Sequence, residues 1–126
     1  MSKRKAPQIY TVPLFGGEVV VCKSRAEWAY AMRHYGQDDD SERFGGGRAM
    51  SLVDTATRQR SYIVGVFDGS IGTLSHELAH ACFYILDSAG VKVEDGGTNE
   101  TFCYMLGHLM FTALPDFGAP THAEQS

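Results

Sequence analysis

Hydrophobic positions alternate with a period near two through most of the first half of this chain and recur every 3.6 residues through the second. That order predicts strands first and two long helices after. Residues 9–15 and residues 18–22 are β-prone runs separated by Gly16-Gly17, the pattern of a hairpin whose turn needs positive φ. Ser24 with Glu27 three residues on forms a capping box, and Trp28, Ala31 and Met32 then follow at helical spacing, so a helix is expected over residues 25–35, closed by Gly36. Residues 49–54 and 61–67 form a second strand pair around a turn at residues 55–60. The run Tyr62-Ile63-Val64-Gly65-Val66-Phe67 is apolar enough to lie in a sheet covered on at least one face.

From Ile71 the period lengthens. Leu74, Leu78, Ala81 and Ile85 make one apolar stripe, with His76, His80 and Asp87 on the opposite side, and Gly90 ends the helix. A last helix over residues 98–114 carries Phe102, Met105, Leu106, Leu109 and Ala113 on its core stripe, and Pro115 stops it. The pattern defines an α+β class: a small, mostly antiparallel sheet of two hairpins packed against about three helices. One domain over residues 1–126 is expected, with flexible ends at 1–7 and 116–126.

Between the first helix and the second hairpin, residues 37–48 carry Asp38, Asp39, Asp40 and Glu42 and then Gly45-Gly46-Gly47, with little to bury. Such a composition reads as a solvated connector. Fifteen acidic against eleven basic side chains leave a formal charge of −4, so no global positive field draws in nucleic acid, and Lys3-Arg4-Lys5 with Arg58 and Arg60 are too few to reverse that. No apolar stretch approaches the ~20 residues that span a bilayer, and no apolar segment follows the basic start, so a cytoplasmic location is expected. Cys22, Cys82 and Cys103 lack C-x-x-C spacing and read as reduced thiols rather than a disulfide framework.

The chemistry is concentrated in His76-Glu77-Leu78-Ala79-His80, an H-E-x-x-H motif inside the most periodic helix. Histidines at i and i+4 stand one above the other, so both imidazoles reach one ion without bending the backbone. Glu77 sits about 100° around from His76, placed to serve as a base rather than as a ligand. Two neutral imidazoles and a carboxylate suit zinc, with the fourth position left for water. Leu86 stands six residues beyond His80 and no breaker lies between them, so a third histidine on the same helix is excluded as a ligand; Asp87 is roughly 10 Å along the helix. Glu100, near the start of the next helix and off its core stripe, is the leading third ligand, with His108, Glu94 and Asp95 as alternatives. Gly107 on the same side would let two helices approach closely, or is simply tolerated there. Ordinary hydrogen-bonding histidines would leave unexplained why two imidazoles and two glutamates all fall off the core stripes.

The H-E-x-x-H run followed by Asn99-Glu100 on the next helix resembles the gluzincin clan of zinc peptidases, above all the minigluzincins and small phage metallopeptidase-like proteins. The likeness spans residues 62–114 and implies a zincin-like fold and hydrolysis of peptide bonds in a restricted protein substrate. In that scheme His76, His80 and Glu100 hold Zn2+, and Glu77 takes a proton from the attacking water and returns it to the leaving amine. It also implies a donor for the oxyanion, for which Tyr104, His108, Tyr84 and Arg48 are candidates. Tyr104, one turn after Glu100, is favoured, although an aromatic there serves equally as packing. The substrate peptide is expected to pair with an edge strand, taken as residues 62–67. The rival expectation is a zincin-fold protein that grips a partner with weak or no hydrolysis; the presence of Glu77 favours the enzyme.

Overall fold

The computed structural model describes residues 6–94 and 99–117. Strand β1 (Gln8–Thr11) and strand β2 (Glu18–Cys22) form the first hairpin, and Val12 N–H donating to Gly17 O closes it at 3.0 Å. Pro13 has no N–H to continue the ladder, so β1 ends sooner than its apolar run. The turn needs left-handed backbone at Gly16 and Gly17 and also at Leu14, whose side chain is left in solvent.

Helix α1 (Arg25–His34) begins where Ser24 Oγ accepts the Glu27 N–H, and it ends at Gly36, where positive φ lets the Gln37 N–H reach back to Met32 O at 2.7 Å. Strands β3 (Gly47–Val53) and β4 (Arg60–Val66) make the second hairpin. Asp54 Oδ1 accepts the Ala56 and Thr57 N–H groups and shapes its turn. The four strands lie in the order β1-β2-β4-β3, with β2 and β4 parallel, so the sheet is mixed. The α+β class is as expected.

Residues 62–67 are not an edge. β4 is an interior strand, hydrogen-bonded to β2 on one side and β3 on the other, and among the described residues the free edges belong to β1 and β3. The physical reason is burial on both faces: Ser61 to Val66 are all buried. Tyr62, Val64 and Val66 join Val19 and Val21 beneath helix α2 (Ile71–Ser88) and helix α3 (Asn99–Ala113), which contribute Leu74, Leu78, Ile85, Met105 and Leu109. Ile63 points the other way, with Val20 and Cys22, onto Trp28, Ala31 and Met32 of α1. Alternation along each strand thus feeds two cores on opposite faces.

Ser70 caps α2 by accepting the Thr73 N–H at 3.0 Å. Gly90, in the left-handed region, ends it with Gly90 N–H to Asp87 O and Val91 N–H to Leu86 O. After α3, Leu114–Phe117 form a short 3-10 turn where the tail was expected to begin; the rest of that expected tail, and residues 1–5, lie outside the described residues. No helix among the described residues is long and apolar enough to cross a membrane.

Residues 37–46 are not a free connector. The Arg25 guanidinium donates to the carbonyls of Ser41, Phe44 and Gly45, and it also lies 4.6 Å from the centre of the Phe67 ring. Asp40 accepts from Trp28 Nε1 at 3.3 Å and from Arg48 Nη2 at 3.0 Å, while Arg48 lies over the Phe44 ring at 4.1 Å. These long-range contacts deliver the chain into β3 along one path.

Candidate functional site

Helix α2 presents the motif in two parts, because residues four apart share a face and their neighbour does not. His76 and His80 are exposed on the side away from the core, with ring centroids 4.9 Å apart and planes at 77°. Glu77 is turned about a quarter of the way around and is buried, only 8% exposed. Its carboxylate rests against the start of β3: a Cβ placed on Gly47 would lie 2.8 Å from Glu77 Oε2 and 2.9 Å from its Cγ. Only a glycine lets the strand pass this close.

Burial pushes the Glu77 carboxyl above the usual carboxylate range, opposed by the positive pull of His76, His80 and Arg48. Arg48 follows Gly47 on this edge strand and points to the other face of the sheet, where Asp40 anchors its guanidinium at 3.0 Å and the Trp28 ring centre lies 5.8 Å away. Around the first turn of α2, Thr73 Oγ1 donates to Asp68 Oδ2 at 2.7 Å and Ser70 N–H to Asp68 Oδ1 at 3.0 Å. A Cβ on Gly47 would also lie 2.6 Å from Thr73 Cγ2, so this turn and Glu77 together form the surface under β3.

The second helix meets this one through rings. Phe83, one turn beyond His80, packs on Phe102 of α3 at 4.6 Å. Glu100 lies in the first turn of α3, two residues before Phe102, with its side chain exposed. Among the described residues, no three His, Cys, Asp or Glu side chains form a group that could hold a metal ion. The structure therefore brings His76 and His80 together and does not add Glu100 to them as a third donor. Two imidazoles at helical spacing fit a zinc ion, and the carboxylate expected to complete the set, Glu100, is on the adjoining helix. Of the alternatives, Asp95 lies outside the described residues, and Glu94 Oε2 is 4.0 Å from Lys92 Nζ.

Tyr104 is 77% exposed and shares a shallow, apolar groove with Pro13, Leu14, Phe15 and His108. Tyr84 is half-buried against the core under the sheet. Arg48, next along β3 from Gly47, turns to the opposite face of the sheet from Glu77, where it meets Asp40, Phe44 and Trp28. Two contributors had no part in the sequence reasoning: Gly47, hidden within a glycine triplet that reads as a loop, and Asp68 with Thr73, whose capping set lacks the glutamate of a capping box. A glycine triplet leading directly into a strand was the signal for the first, because such glycines mark close backbone approach.

Compared with models of protein families, with curated proteins and with solved structures, the chain has no match.

Proposed function

We propose that this chain is a zincin-like, gluzincin-type zinc peptidase that acts on a restricted protein substrate in the cytoplasm. One observation carries the reading: paired imidazoles at 4.9 Å open to solvent beside a glutamate buried under a free sheet edge. His76 and His80 would hold Zn2+ with Glu100 as the third donor, and bound zinc would supply Lewis-acid activation of a water and of the scissile carbonyl. Glu77, close to but not among the ligands, accepts the proton of the attacking water at its carboxylate and hands it to the departing amine. The outer edge of β3, unpaired among the described residues, offers its N–H and C=O groups to an extended peptide, which would then run past Gly47 beside Glu77. Tyr104, one turn after Glu100 on α3, is the proposed oxyanion donor. Three free cysteines, two of them buried, suit a reducing compartment.

A second reading is a partner-binding protein that keeps the same fold with little or no hydrolysis. The absence of a three-donor group among the described residues favours it. A peptide library offered to the wild type and to Glu77→Gln, with zinc content measured in both, separates the two. Cleavage by the wild type alone, at equal zinc content, is the expected result; no cleavage by either protein would overturn the enzyme reading.

A further inference from the structure

Residues 6–17 carry no charged side chain, yet they form an outermost strand of the sheet and the turn that follows it. Among the described residues β1 pairs with β2 alone, so its outer side is open. Sheet edges are ordinarily guarded against further pairing by charges or bulges; β1 has no charge, and its register with β2 is unbroken. Ile9, 54% exposed, stands on the α1 face of this edge, beside a shallow apolar groove of about 120 Å3 that Val20, Tyr30, Ala31 and His34 also line.

The alternation of an antiparallel ladder fixes which backbone groups face outward. Val12 N–H donates to Gly17 O at 3.0 Å, so Val12, Tyr10 and Gln8 bond to β2, while the N–H and C=O of Ile9 and Thr11 point away from it. Continued in either direction, that outward row reaches Pro7 and Pro13, which have no N–H to give. The prolines thus bracket a short open ladder centred on Tyr10. A second, antiparallel β1 fits the bracket in one register. With Tyr10 opposite the partner's Tyr10, Ile9 faces the partner's Thr11 and Thr11 faces the partner's Ile9, so N–H···O=C bonds use every outward group of both residues. A shift by two residues either way sets one of those carbonyls opposite a proline. The edge is therefore complementary to itself about a two-fold axis. Ile9 and the partner's Ile9 then lie diagonally on one face and cover each other's apolar surface. No like charges meet within the paired segment, although each chain carries a formal −4.

We propose that two copies of this chain pair through the outer edges of their β1 strands, antiparallel about an axis at Tyr10, and join two four-stranded sheets into one. β3 is the opposite edge, so the second copy leaves Gly47 and the H-E-x-x-H helix open, and the pairing stands whether or not the chain hydrolyses peptides. The test is light scattering of the full chain over a concentration series, with hydrogen exchange followed residue by residue. The expected result is a mass rising from 13.8 kDa towards twice that value by about 100 µM, with exchange at Ile9 and Thr11 slowing as the mass rises. Tyr10 and Val12, bonded to β2 in either state, should exchange slowly throughout. Ile9→Lys, at an exposed position, should raise the dissociation constant about tenfold or more by setting two ammonium groups side by side, with Trp28 emission unchanged. If that variant does not fold, the exchange pattern of the wild type decides alone. A mass of 13.8 kDa at every concentration would overturn the proposal. So would a dimer in which Ile9 and Thr11 exchange as fast as in the monomer, the result expected if copies meet through another surface. Slowing at these residues only when an extended peptide is added to a monomer would overturn it as well.

Discussion

Gly47 of the free edge strand and Glu77 of the H-E-x-x-H helix are in such close contact that a single added methyl group at Gly47 would fall 2.8 Å from the Glu77 carboxylate. The same methyl would lie 2.6 Å from Thr73 Cγ2, so neither neighbour can yield alone. Gly47→Ala should therefore cost about 1–3 kcal/mol of stability through overpacking. It should also lower peptide cleavage with zinc content unchanged, because it moves the base and not the histidines. Gly45→Ala, where an added Cβ meets nothing within 4 Å, is the control. Urea unfolding and peptide hydrolysis of both variants check this; equal behaviour of the two would mean that the contact does not position Glu77.

Asp40 ties the acidic loop to the body of the protein by accepting from Trp28 and Arg48 at once. Asp40→Ala should cost about 1–2 kcal/mol, since it leaves the donor of a buried tryptophan unmatched and releases a partly exposed ion pair. Asp38→Ala, on an exposed side chain, should change little. Because Trp28 is the one tryptophan in the chain, its fluorescence reports the unfolding midpoint and the altered environment together.

Burial sorts the three thiols. Cys22 and Cys82 are buried and burial raises both of their pKa values, that of Cys82 to about 12, whereas Cys103 is exposed on α3. A thiol reagent at pH 8 should label Cys103 alone in the native protein and all three after denaturation. Rapid native labelling of a second cysteine would show that one of the two cores opens readily.

Alkaline pH should destabilise the fold in a defined window. Tyr35 is pushed up to about 12 from 10.0, and Cys82 to about 12 from 9.0, by burial above all. A folded pKa above the unfolded one means that the native state keeps a proton that the unfolded chain has released. The associated stability is fully present below about pH 9 and is lost progressively as the pH rises towards 12. Urea midpoints measured from pH 8 upwards should fall across that window, and Tyr35→Phe should flatten the decline.

The helices were legible in the sequence because their signals are local. Ser24 with Glu27 starts α1, Gly36 and Gly90 end α1 and α2, and the stripes of Leu74, Leu78, Ala81 and Ile85 and of Met105, Leu109 and Ala113 face the core as the spacing demands. Both hairpins followed from their turns. The parallel pairing of β2 with β4 was not legible, since it joins segments 38 or more residues apart with no turn between them to mark it. That pairing is what moves residues 62–67 from the edge to the interior, where their burial is unbroken, while the apolar run by itself implied a strand covered on at least one face. The tethering of residues 37–46 was not legible for a similar reason, because Arg25, Trp28 and Arg48 hold that loop from elsewhere in the chain. Within the candidate site, the i, i+4 spacing foretold the paired imidazoles, while the placement of Glu100 depends on how α3 packs, which no local pattern encodes.

The proposed zinc centre would draw its ligands from two helices. The most direct measurement is zinc content by elemental analysis, together with zinc affinity by competition with a chelator, for the wild type, His76→Ala and Glu100→Ala. One zinc per chain in the wild type, with affinity lowered about tenfold or more in each variant, is the predicted result. A wild type that takes up no zinc, or a Glu100→Ala variant that holds it as tightly as the wild type, would contradict the proposed ligand set.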